Sequence, residues 1–187
     1  LLERADVAHD GELAQRATYE ALGWDFASAW RFDDALGHPV PNFTYALYGA
    51  GTADEPFEIA SEEDLEFLAA QLNAGNTRYT GKKNYVLSAD LDFTGRAAWP
   101  GINTFDGVLD GAGHRISSLV YGPGGTSTRL GFFRQLTEAT VRNLVLDGVT
   151  ADQGSGNGFV AGLAVISTRS TITGTSVLRA DLRGASA

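Results

Sequence analysis

Asp90 and Asp92 stand two residues apart, and Asp106 and Asp110 follow shortly after them. Paired carboxyl groups about 5–10 Å apart on either side of one bond can cleave a glycoside. Residues two apart on a strand lie roughly 6.5–7 Å apart on one face, so Asp90 and Asp92 meet that distance. The same pair with a nearby carbonyl is also the start of a site for a hard cation. Each aspartate has a simpler explanation, however. Asp90 and Asp92 alternate with Leu91 and Phe93, as a strand with one wet face requires. Asp106 and Asp110 each precede a glycine, the pairing a tight turn demands. No DxDxDG loop accompanies them. The expectation is no catalytic residue, no metal and no cofactor, with Asp90 and Asp92 kept only as candidates for contact with a ligand.

Trp24, Phe26, Trp30 and Phe32 form a second cluster. On an extended chain, spacing of two puts Trp24 with Phe26, and Trp30 with Phe32, on one side. Such a platform suits sugar rings, which keeps Trp24 and Trp30 as ligand-binding candidates; the plainer expectation is a hydrophobic plug over one end of a repeat array. His9, His38 and His114 are scattered and form no HExxH pair, so neither zinc hydrolysis nor a Ser-His-Asp arrangement has support. The run Gly75 to Lys83, GNTRYTGKK, has one residue too many between its glycines for a phosphate loop and follows a helical pattern instead of preceding one. Thr171, Thr173 and Thr175 alternate like an ice-binding ladder, but Thr140, Arg142 and Leu144 one copy earlier do not continue it.

Composition narrows the partners. The 187 residues carry 14 basic and 23 acidic side chains, a net charge of −9, and no basic cluster beyond Lys82-Lys83. Nucleic acid needs several cations on one face, so it is not an expected partner. No apolar run reaches the length of a membrane span, which argues against membrane insertion. With no cysteine there is no disulfide and no thiolate site. Twenty-three glycines against five prolines fit many tight turns. The chain opens at Leu1 with no signal peptide and reads as an excised or processed piece of a larger protein.

Repetition dictates the elements that must position these residues. Segments beginning near 105, 130 and 161 (FDGVLDGAGHRISSLV, LGFFRQLTEATVRNLV and AGLAVISTRSTITGTS) align without gaps. They set Ile116, Val141 and Ile172 in one position and Leu119, Leu144 and Thr175 three residues on. Short β-rich units of this length bury their apolar sides against one another, which predicts a parallel β-helix. These five apolar residues, Ile116, Leu119, Val141, Leu144 and Ile172, are expected in one interior column. Gly-rich loops at 121–129 and 151–158 separate the copies. Ahead of them, Ser61 with Asp64 reads as a helix start, and Leu65, Leu68, Ala69 and Leu72 form one stripe ending at Gly75. That helix, about 61–73, is expected to cap the first turn. Residues 1–48 read as a small helical and aromatic segment, with one helix over 11–22 and a sequon at Asn42-Phe43-Thr44; residues 49–187 read as the β-helix module. No cap is visible after the last copy, which would fit truncation or an end that pairs with another copy.

The order FDGVLDGAGHRISSLV, LGFF, TVRNLVLDGV, GFVAGLA and TITGTSV resembles the GLUG-repeat modules of bacterial cell-surface proteins. Residues 51–75 and 84–95 resemble the part preceding such repeats, and residues 17–40 the tail of an earlier module. The resemblance implies a mainly β, right-handed parallel β-helix in a secreted or wall-anchored bacterial protein. Such modules are adhesive or structural, and they also accompany the metallopeptidases that cleave immunoglobulin A. The expected function is therefore a non-catalytic extracellular module, an adhesin or spacer, whose partners are a host glycan or protein or neighbouring modules of the same chain. The rivals are a polysaccharide lyase or glycosidase using the flank aspartates, and a domain assembling end to end.

Overall fold

The computed structural model describes residues 16–24, 30–33, 38–41, 45–122, 129–152 and 158–183. They fall into two compact units, Leu1–Ala46 and Leu47–Ala187. In the first, a short helix α1 (Arg16–Ala21) precedes an antiparallel pair, β1 (Trp30–Asp33) with β2 (His38–Pro41). Residues 11–15 of the expected helix, His9, Phe26 and the sequon at 42–44 lie outside the described residues.

The second unit is a parallel β-solenoid. Its longest sheet stacks β3 (Phe57–Ile59), β4 (Asn84–Leu87), β6 (Val108–Asp110), β11 (Thr140–Arg142) and β16 (Thr171–Thr173). A second sheet stacks β5 (Leu91–Asp92), β7 (Arg115–Ser117), β12 (Val145–Asp147) and β17 (Ser176–Leu178). A third stacks β8 (Val120–Tyr121), β13 (Thr150–Asp152) and β18 (Asp181–Arg183). The return side is made by β9 (Arg129–Leu130) under β14 (Phe159–Val160), and β10 (Phe133–Thr137) under β15 (Ala164–Thr168).

The strands are short because the chain turns every five residues. Side chains on a strand alternate between faces, so Ala139 and Val141, Leu144 and Leu146, and Val149 and Ala151 point inward and are buried. Between these pairs Asn143 (φ 53°) and Gly148 (φ 65°) take left-handed backbone and turn the corner. The corner repeats at Gly174 and Arg179 one turn later. Left-handed backbone costs a non-glycine residue roughly 1–2 kcal/mol, so Asn143 and Arg179 need compensation. The stack supplies part of it by keeping corner amides bonded. Asn143 N–H donates to the Thr173 carbonyl at 3.0 Å, and Gly148 N–H to the Leu178 carbonyl at 2.9 Å.

This geometry corrects the expected column. Val141 stacks on Leu109 and under Ile172. Ile116 lies in the neighbouring sheet, between Leu91 and Leu146. Phe105 bridges to Leu136, not to Leu130. The offset of 31 residues between the last two copies is the true register, whereas the offset of 25 between the first two slid the chain round one corner. Successive faces of a turn have the same short apolar pattern, VLDG at 108–111 and again at 145–148, so residue type alone does not distinguish them.

The interior is aromatic towards the first turns and aliphatic towards the last. Phe57, Tyr85, Phe105 and Phe133 form a ladder with centroids 5.0–5.7 Å apart, and Trp99 stacks on Phe132 at 5.2 Å. Their polar atoms are satisfied within the stack. Tyr85 Oη donates to the Tyr79 carbonyl, Trp99 Nε1 to the Phe132 carbonyl at 3.1 Å, and Tyr121 Oη to the Gly162 carbonyl at 2.6 Å. Burial raises the pKa of both tyrosine hydroxyls.

Helix α2 (Glu62–Asn73) covers the first turn, as the Ser61 signal and the leucine stripe predict. The Asp64 amide donates to Ser61 Oγ at 3.1 Å, while Asp64 Oδ2 accepts from the Ser61 amide at 3.0 Å, a complete capping box. Leu65, Leu68, Ala69 and Leu72 are buried. The polar side of the helix is tied to the next turn. Glu62 accepts from the Asp92 amide, Asn73 exchanges bonds with Gly101 and Asn103, and Arg96 bridges Glu63 and Glu66.

Candidate functional site

Three of the sequence-predicted aspartates, Asp90, Asp92 and Asp110, have carboxylates engaged in fixing corners or joining turns. Asp90 Oδ1 accepts from the Arg115 amide at 3.0 Å and lies 3.1 Å from His114 Nδ1, both on the following turn. These contacts hold the Asp90 carboxyl below the usual range, the Arg115 amide contributing most. Asp92 Oδ1 accepts from the Thr94 hydroxyl and amide (2.8 and 3.1 Å) and from Ser117 Oγ (3.2 Å), which likewise lowers its pKa. Asp110 is partly buried, which raises its pKa, but the Ala112 amide, Arg142 and Asn143 outweigh this and bring it down. Asp106 sits at the corner before Gly107 and β6. Trp24 packs edge-on against Tyr19 at 5.3 Å in the first unit. Trp30 lies in β1.

One charged side chain is buried among the described residues, and it is not among the candidates read from the sequence. Asp147, 1% exposed, is held from the preceding turn by Arg115 and from the following turn by Arg179. The Arg179 hydrogen bonds are the first cause of its lowered pKa. At a second corner, Glu138 takes Arg169 at 2.5 Å from the following turn and Lys82 at 3.2 Å from across the intervening one. The signal is present as a base 31 or 32 residues after each acid, but it becomes visible only once the register is known.

Beside the third sheet a cavity of about 250 Å³ is lined by Val120, Tyr121, Thr150 and Ala151 and by the Asp181–Arg183 pair. Among the described residues, no three His, Asp or Glu side chains are grouped to hold a metal ion. No helix among them is long and apolar enough to cross a membrane.

The class of protein that this geometry defines is a parallel β-solenoid repeat module, closed by a helix at one end. In sequence the chain is similar to Halomucin from Haloquadratum walsbyi (strain DSM 16790 / HBSQ001), with 32% identity over 151 residues. The match takes in 69% of this chain but spans only 2% of the length of Halomucin. The solenoid and this likeness to a small part of a much longer chain fit a repeat module of a large protein. No protein-family model matches the chain, so the narrower GLUG-repeat resemblance has no such support. No solved structure matches it either.

Proposed function

We propose that the chain is a non-catalytic structural module of an extracellular surface protein, acting as a spacer that carries other parts of that protein away from the cell. One observation carries the reading. Of the four flank carboxylates that would do chemistry, Asp90, Asp92 and Asp110 are each spent on hydrogen bonds that fix corners or join turns, and their pKa values are lowered, not raised, which leaves Asp106 without a second free carboxylate among them. A general acid needs the opposite, an environment that keeps its proton near neutral pH. The likeness to Halomucin supports the extracellular setting, and the stack of in-line turns supports the spacer role. Adhesion to a glycan or protein is the finer proposal, drawn from the GLUG-repeat resemblance; it would use the exposed flank.

Incubation of the purified chain with pectins, alginates and glycosaminoglycans tests the central part. The expected result is no new reducing ends and no unsaturated products. Products that disappear in an Asp90→Asn, Asp92→Asn chain would overturn it in favour of a polysaccharide-active enzyme. A glycan array, read with and without calcium, tests adhesion.

A further inference from the structure

The two ends of the solenoid are chemically different. At the first, α2 covers the interior, and the outer edge of β3 is occupied, with the Glu58 amide donating to the Tyr48 carbonyl at 2.9 Å. At the other, β16, β17, β18, β15 and β14 are each the last strand of their sheets. Ile172, Val177 and Leu182 continue the interior columns there and are 43%, 39% and 38% exposed. Their partners one turn back, Val141, Leu146 and Ala151, are buried.

This apolar face has a charged rim with a sign. At two corners of the stack a carboxylate sits between cations from other turns. Arg115 is followed by Asp147 and then Arg179, and Lys82 reaches past the turn of Asp106 to Glu138, which is followed by Arg169. The carboxylates in the middle have cations on both sides. Arg169 and Arg179 meet theirs on the preceding turn and keep side chains 70% and 75% exposed. A next layer that continues the strands and sets an opposite charge over each of these two exposed arginines is acidic at both corners.

We propose that the open end is a docking face for one further parallel solenoid turn, with carboxylates stacked over Arg169 and Arg179. A second copy fits less well. Joined through this face, two copies would bring like-charged arginine rims together, and the covered first end offers no free β3 edge for head-to-tail stacking.

The chain can be given such a turn from its own sequence. A copy of residues 123–152 added after Arg183 brings Glu138 and Asp147 to the two corners; a companion carries Glu138→Lys and Asp147→Lys in the added copy alone. Amide hydrogen exchange over Thr171–Arg183 is the readout, with light scattering for the oligomeric state. The expected result is a monomer in which the acidic turn slows exchange, about three- to tenfold more than the lysine turn does. Arg169→Gln with Arg179→Gln should erase that difference. Equal protection by both turns, no protection by either, or a difference that survives the arginine substitutions would overturn the proposal. So would a parent chain that dimerises with β16–β18 protected, which would place a second copy on the face.

Discussion

Arg179 donates through Nε and Nη2 to the two carboxylate oxygens of Asp147, at 2.6 and 2.5 Å, from one solenoid turn to the next. Arg115 reaches the same carboxylate from the other side. The pairing is bidentate and the carboxylate is shielded from water, the geometry in which an ion pair resists competition by solvent. It also ties three successive turns at one corner. Asp147→Asn should therefore lower the thermal midpoint by more than Asp181→Asn, whose Arg183 partner lies on its own strand. Melting curves of the two variants compare them directly.

Acid should loosen the stack. Glu63, Asp90, Asp92, Asp110, Glu138, Asp147 and Asp181 all have native pKa values below their ordinary ones. A depressed native pKa adds stability above the unfolded-state pKa, and that stability is lost as pH falls through the native value. Denaturant midpoints should thus be level on this account from neutral pH down to about pH 5 and fall steadily below about pH 4. A midpoint that rises on acidification would contradict the assignment.

Burial within one column sets the cost of truncation. Leu146→Ala removes a fully buried side chain between Ile116 and Val177 and should cost about 3 kcal/mol. Leu182→Ala acts on a half-exposed side chain of the last turn and should cost less than about 1 kcal/mol. Urea titration of the pair reports whether the open end is as exposed as the structure has it.

The sequence made α2 fully legible, because Ser61, Asp64 and the leucine stripe act within one element and need no distant partner. It also made the parallel solenoid legible through its β-rich copies. The register of the first copy was not. Five-residue faces repeat within a turn as strongly as whole turns repeat along the stack, so Ile116 matched Val141 as well as its true partner Leu146. The candidate residues divide the same way. Alternation with Leu91 and Phe93 put Asp90 and Asp92 on the wet face, but the bonds to Arg115, His114 and Ser117 depend on the neighbouring turn. Asp147 precedes Gly148 as Asp106 and Asp110 precede their glycines, and its two arginines lie 32 residues away on either side.

Two glycines separate close approach from backbone freedom. A Cβ on Gly111 would lie 2.3 Å from the Asn143 carbonyl oxygen and 2.5 Å from Leu144 Cα, so two turns would have to part. Gly113, at φ 85°, has open space around it and only its backbone to satisfy. Gly111→Ala should cost about 2 kcal/mol or more, and Gly113→Ala about 1 kcal/mol. Equal costs would mean that the turns are not in contact at that corner.

The cap of α2 is a local prediction with a local test. Ser61→Ala removes the acceptor of the Asp64 amide and should lower stability by about 1 kcal/mol. Ser61→Asp, which keeps an acceptor, should restore most of it.

The central claim is that turns stack in parallel with a period of 31 residues over the last two layers, and paired cysteines test it most directly. The chain has no cysteine of its own. Thr140 and Thr171 are register partners on the outer face, and adjacent strands lie about 4.8 Å apart, within the roughly 4.4–6.8 Å range of Cα separations a disulfide accepts. Thr140→Cys with Thr171→Cys should close quantitatively under mild oxidation, seen as a mobility shift on a non-reducing gel. Arg115→Cys with Thr140→Cys, the pair that a 25-residue register would stack, should stay reduced. Closure of the second pair and not the first would contradict the stack described here.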